Sequence, residues 1–141
     1  MNASFEEKSV WIQLVATVLV LGGYFAVAAR MYAAGATALA AYVPLFAVAV
    51  VLMVMLLVTG HVIAAIASRP EGRDERDRLI EWRAESNSSW LLATGVLTAI
   101  TGMIFSVDNV VVAHVLLLAL LLSEVLGFTL RLVYYRRGVR A

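Results

Sequence analysis

Residues 43–66 read VPLFAVAVVLMVMLLVTGHVIAAI, an unbroken apolar stretch with one histidine and no formal charge. A bilayer hydrocarbon core about 30 Å thick is crossed by roughly 20 apolar residues in a helix, so this segment is long enough to span it. Pro44 sits where first-turn amides lack intrahelical partners and is tolerated there. Working outward, three further apolar runs cover residues 10–29, 90–105 and 110–130, and the segments between the runs hold nearly every charge. The third run is shorter and is extended at its start by the polar residues 86–89. Its other end turns through residues 106–109 into the fourth run, with Asp108 and Asn109 supplying a turn and an N-cap. The expected fold is all-α: a four-helix transmembrane bundle running up-down-up-down. Its helices are expected near residues 10–30, 43–66, 89–106 and 109–134, with residues 1–141 forming a single membrane domain.

Composition excludes the soluble alternative. The 141 residues are 62% hydrophobic and only 15% charged, far from the balance of an ordinary soluble domain. The net charge of +1 balances scattered groups and offers no basic field for nucleic acid. No cysteine is present, which removes disulfides, thiolate metal sites and thiol chemistry. Lys8, Arg69, Arg73, Arg76, Arg78, Arg83, Arg131, Arg136, Arg137 and Arg140 fall on one side of the expected spans and only Arg30 on the other. Basic residues are retained in the cytoplasm during insertion, so both termini and the central loop are expected there. Residues 31–42 and 106–109 then face outward. Ala26-Val27-Ala28 resembles a signal-processing site, but Glu6 and Glu7 outnumber Lys8 ahead of it and the apolar run is long for a signal core.

Small residues mark places where helices can approach: Gly22, Gly23 and Ala26 in the first helix, Gly60 and Ala64 in the second. Between the second and third runs, Asp74-Glu75-Arg76-Asp77-Arg78 reads as a charged helix over about 73–87. Asp74 caps it, Arg73 can meet Asp77, and Asp74 can meet Arg78. That helix either lies on the headgroups or continues into the third span. Its Asp74, Arg76, Asp77, Glu81 and Arg83 form a candidate surface for a protein partner.

Ionisable groups inside spans are costly and mark functional hypotheses; here they are His61, His114 and Glu124. His61 lies eight residues before Arg69 and Glu124 seven before Arg131, which puts both about 10–12 Å below the cytoplasmic boundary. With Gln13 and Thr17 on the first helix and Thr94 on the third, they are expected to form one polar layer in which His61 faces Glu124. Such a layer can fix helix register and oligomer state, or it can handle protons or a cationic ligand. His114 lies near the outer end of the fourth helix. One chain therefore cannot present both histidines to one haem, although a symmetric dimer could pair equivalent ones.

Glu7-Lys8-Ser9 with Trp11, Gly60-His61, Asp74-Glu75-Arg76-Asp77 followed by Ile80-Glu81 and Arg83, and the stretch from His114 to Glu124 together resemble a group of small four-helix membrane proteins of proteobacteria. The resemblance spans most of the chain. It implies a multi-pass protein of the bacterial inner membrane and no particular activity. No paired histidines at metalloprotease spacing, no serine with a base and no glycine-rich phosphate loop are present, so no catalytic, cofactor-binding or metal residue is assigned and no cofactor is expected. The expected partners are the lipid bilayer and further copies of the chain. Three functions stay open: assembly or partner binding without catalysis, a small proton- or cation-responsive transporter, and a cofactor-binding redox subunit.

Overall fold

The computed structural model describes residues 5–67 and 74–138. Four helices follow in order: α1 (Phe5–Ala33), α2 (Val43–Ala67), α3 (Glu75–Ile104) and α4 (Asn109–Arg137), with a 3-10 turn, Leu39–Tyr42, leading into α2. The fold is an all-α bundle. α1, the segment Leu39–Ile66 and α4 are long and apolar enough to cross a membrane. Glu7, Glu75 and Arg136 mark what we term the charged end, and the 3-10 turn with residues 105–108 marks the turn end.

The charged helix and the third apolar run are one element, because no breaker separates Glu75 from Ile104. Asp74 caps its start: its side chain accepts from the Glu75 amide at 2.7 Å, and the Asp77 carboxylate accepts from the Asp74 amide at 3.1 Å. The expected Arg73–Asp77 pair lies outside the described residues. Asp77 instead accepts from the Tyr135 hydroxyl on α4.

Packing follows the order α2–α1–α4–α3: α3 runs along α4, α4 along α1 and α1 along α2, with no comparable seam between α2 and α3. The bundle is therefore opened on that side. The α3–α4 seam is lined by small residues, Ala84, Ser88, Gly95 and Ala99 against Ala119, Ser123 and Gly127, all buried. Their size lets the backbones approach, and the Ser123 hydroxyl donates to the Ser88 carbonyl at 3.1 Å. A Cβ placed on Gly95 would overlap that of Ala119. On the α1–α2 seam, Gly60 lets Ile12 approach so closely that an added Cβ would lie 2.5 Å from its Cγ2, and Ala64 is buried. Toward the turn end, Val20, Tyr24, Ala28, Tyr42, Ala49 and Val110 join α1, α2 and α4 in one core. At Gly22 and Gly23 no neighbour comes from within the chain, for an added Cβ there meets nothing within 4 Å. Those glycines face away from every helix of the chain.

Candidate functional site

Both histidines are held by the same device. The Nδ1 of His61 lies 2.7 Å from the Leu57 carbonyl, and that of His114 lies 2.7 Å from the Val110 carbonyl, each one turn back on its own helix. A carbonyl only accepts, so each Nδ1 carries a proton, which in the Nδ1–H tautomer leaves Nε2 as the acceptor. Both acceptors are met by hydroxyls of α1: Ser9 donates to His61 at 2.8 Å and Tyr24 donates to His114 at 3.0 Å. α1 is thereby tied to α2 near the charged end and to α4 near the turn end. Using either imidazole as a haem or metal ligand would require breaking its bond to α1.

The surroundings of the two rings differ. His114 sits among aromatic rings, stacked on Tyr24 with centroids 5.7 Å apart and edge-on to Tyr42 at 4.9 Å. The groove beside it, about 250 Å³, is lined by apolar and aromatic side chains of α1 and α4 with Tyr42. Ser9, by contrast, opens on a polar cavity of about 20 Å³ lined also by Glu6, Gln13, Asp77, Glu81, Arg131 and Tyr135. That volume holds about one water.

Arg131 is the centre of the charged end. Its guanidinium meets Glu81 at 3.2 Å and Glu85 at 2.8 Å, with only 13% of its side chain exposed. Its Nε is buried with no hydrogen-bond partner among the described residues. Arg131 also borders a second cavity of about 40 Å³, together with Glu85, Ser88, Ser123, Glu124, Gly127 and Phe128. Further links tie α4 to its neighbours here: Arg136 to Glu7, Asn87 to the Tyr134 hydroxyl, and Arg76 to the Tyr135 carbonyl.

The expected polar layer is therefore redistributed. Gln13 belongs to the His61 chain, its amide donating to Ser9 Oγ at 3.3 Å, and Thr17 is buried on the same helix. Thr94 is exposed and turns back to the Trp90 carbonyl of its own helix. His61 and Glu124 do not meet. α1 stands between α2 and α4, and His61 lies, through Ser9, at the level of Arg131. Glu124 is seven residues, about 10 Å, further along the span, where it is exposed and makes no hydrogen bond or ion pair among the described residues. Counting depth from Arg69 set the two level, yet Arg69 lies outside the described residues and α2 runs on to Ala67.

Of the candidate partner surface, Asp77 and Glu81 turn toward α4 and Arg83 is half-buried with a partner of its own. Asp74 and Arg76 remain exposed, beside the exposed apolar Leu79 and Trp82. Ser9 and Arg131 escaped sequence reasoning because a serine near a helix start reads as a cap and an arginine at a span end as a boundary marker. Among the described residues no group of three His, Asp or Glu side chains is arranged to hold a metal ion. No known protein family, curated protein or solved structure matches the chain.

Proposed function

We propose that this protein is a non-enzymatic membrane subunit that acts by assembling with other chains. The carrying observation is the open order α2–α1–α4–α3. α2 touches little beyond α1, and only 11% of its most apolar window is buried. Lipid tails provide no hydrophobic drive for helix association, so helices associate through close packing and hydrogen bonds. α2 has one such seam, through Gly60 and His61. Gly22 and Gly23 present a second small-residue surface that nothing in the protomer covers. On this reading the protein is a multi-pass component of a bacterial inner membrane with its charged end in the cytoplasm, in keeping with the distribution of its arginines and the resemblance noted above. Asp74, Arg76, Leu79 and Trp82 then offer a cytoplasmic surface to a partner.

The test is mass in a native-like bilayer disc together with crosslinking in membranes. Oligomers or a co-purifying chain are expected; monomers alone under both conditions would overturn the reading.

A second reading, a proton- or cation-responsive transporter, is supported by the polar belt. Ser9, bonded to His61, borders one cavity with Arg131, and Arg131 borders another with Glu124. Liposomes carrying Glu124→Gln or His61→Gln should lose ion or proton flux if it holds. Unchanged flux in both would dismiss it.

A further inference from the structure

The helices do not offer the bilayer equal lengths of apolar surface. On α2 no charge interrupts Val43–Ala67, and from Val43 to the exposed Ile66 the helix rises about 35 Å. On α4 the exposed carboxylates of Asp108 and Glu124 stand sixteen residues apart, a rise of about 24 Å. α3 is cut short at the same level. The register set by Ser123 on Ser88 and by Arg131 on Glu81 and Glu85 places Glu124 level with the end of the run Glu85-Ser86-Asn87-Ser88-Ser89, of which only Ser88 is buried.

Against a hydrocarbon core of about 30 Å, the α3–α4 face is short by about 6 Å, while α2 is long enough. Tilting does not repair a shortfall, because a tilted helix needs a longer apolar stretch. Snorkelling does not repair it either: serine and asparagine lack the long stems of lysine and arginine. Asn87 commits one N–H to the Tyr134 hydroxyl, and the rest of its exposed amide keeps hydrogen-bonding sites that hydrocarbon cannot meet. Thr94, Thr98 and Thr101 differ, since each returns its hydroxyl to a carbonyl of its own helix and so tolerates lipid tails. The exposed Trp90 stands at the step between the two zones, as tryptophans do at a bilayer interface. Glu124 also shares its small cavity with Arg131, whose buried Nε has no partner among the described residues, so water drawn to this level would join the two groups.

We infer that the hydrocarbon is thinned along the α3–α4 face, with lipid headgroups and their water drawn down to the level of Ser89 and Glu124, while α2 meets hydrocarbon of full thickness. α2 and α3 are the two ends of the order α2–α1–α4–α3, so the step runs across the whole protomer. The polar run is thus a surface for lipid headgroups, whether or not the chain assembles with others. Thinning costs little per ångström, whereas a carboxylate or an amide held in hydrocarbon costs far more.

The chain has no cysteine, which makes the step directly measurable. Single cysteines are placed in the full chain at successive exposed positions of α3 from Ser86 to Ile104 and of α2 from Phe46 to Ile66, then spin-labelled. Each variant, checked for helical content against the parent, is reconstituted in vesicles of phosphatidylethanolamine and phosphatidylglycerol. Collisions with oxygen, which concentrates in hydrocarbon, are compared with collisions with a nickel chelate confined to water. The oxygen-rich stretch should span about 24 Å along α3 and about 30 Å or more along α2, with Ser86 and Ser89 reached by the chelate. Because the length of each stretch is read and not its position, a tilt of the bundle does not imitate the result.

Oxygen-rich stretches of equal length on the two helices would overturn the inference, as would labels at Ser86 and Ser89 that meet oxygen and not the chelate. Labels there that meet neither reagent would show the polar run covered by another chain, which overturns the inference and leaves the assembly reading standing.

Discussion

Replacing Gly95 with alanine tests the tightest helix contact at any glycine among the described residues. A Cβ at this position overlaps the Cβ of Ala119 and comes 3.5 Å from its Cα. Neither is the far end of a flexible side chain, so α3 and α4 must move apart. Forcing an extra carbon into a packed seam costs about 1–3 kcal/mol, and the alanine returns at most about 1 kcal/mol of helix propensity. Separation also stretches the neighbouring Ser123–Ser88 bond, an interhelical contact of the class that averages about 0.6 kcal/mol in membranes. The net expectation is destabilisation by about 1–2 kcal/mol, read as a shift in the unfolding midpoint in mixed micelles of rising denaturing detergent. Gly102→Ala is the control, since an added Cβ there meets its nearest neighbour, Val112, at 3.5 Å, an ordinary contact, and it should be neutral or slightly stabilising. Adding Ala119→Gly to Gly95→Ala should recover much of the loss, as contacting residues couple by about 0.5–3 kcal/mol. If Gly95→Ala and Gly102→Ala behave alike, the close α3–α4 seam is wrong.

The two histidine ties make parallel predictions. Ser9→Ala leaves His61 Nε2 without its donor and Tyr24→Phe does the same to His114, so each should destabilise by about 0.6–1.7 kcal/mol in the same unfolding assay. Nitrogen NMR of labelled histidine should report both rings in the Nδ1–H tautomer; an Nε2–H ring at either site would refute the hydrogen-bond assignment. Arg131→Ala strips Glu81 and Glu85 of their shared cation. Because Glu85 is largely exposed, the expected loss is about 1–3 kcal/mol, below the range for a fully buried pair. Protease protection of α3 near Glu75 should fall in that variant; unchanged protection would show that Arg131 does not hold the charged end of α3.

Three of the four expected spans are found long and apolar enough to cross a membrane, α3 not being among them, and they were legible in the sequence because apolar length is an additive property that survives ignorance of packing. Residues 43–66 announce a helix whatever they touch, and Gly60 with Ala64 pointed correctly to a close seam. Continuity of α3 was only half legible. Its polar start and apolar end obey the same helical spacing, and nothing between Asp74 and Ile104 terminates a helix, so both arrangements of the charged segment fitted. The short turn at residues 106–109 required α3 and α4 to be antiparallel neighbours, as they are, but the rest of the neighbour order was not legible. α2 is apolar around its whole circumference, so its sequence marks no face, and whether His61 met α1 or α4 could not follow from periodicity. Inside a membrane an apolar residue is equally at home against lipid or protein, so the sequence left open what Gly22 and Gly23 approach, and no helix of the protomer covers them. The site erred for a related reason: depth was counted from arginines taken as boundary markers. Arg131 is itself a member of the polar cluster, and its side chain is mostly buried.

Assembly in the bilayer is the central claim, and counting protomers in native membrane vesicles tests it most directly. With one fluorophore on each chain and vesicles sparse enough to hold single complexes, stepwise photobleaching should show two or more steps per spot at low expression. A distribution of single steps across expression levels, with no second protein captured alongside, would contradict the account.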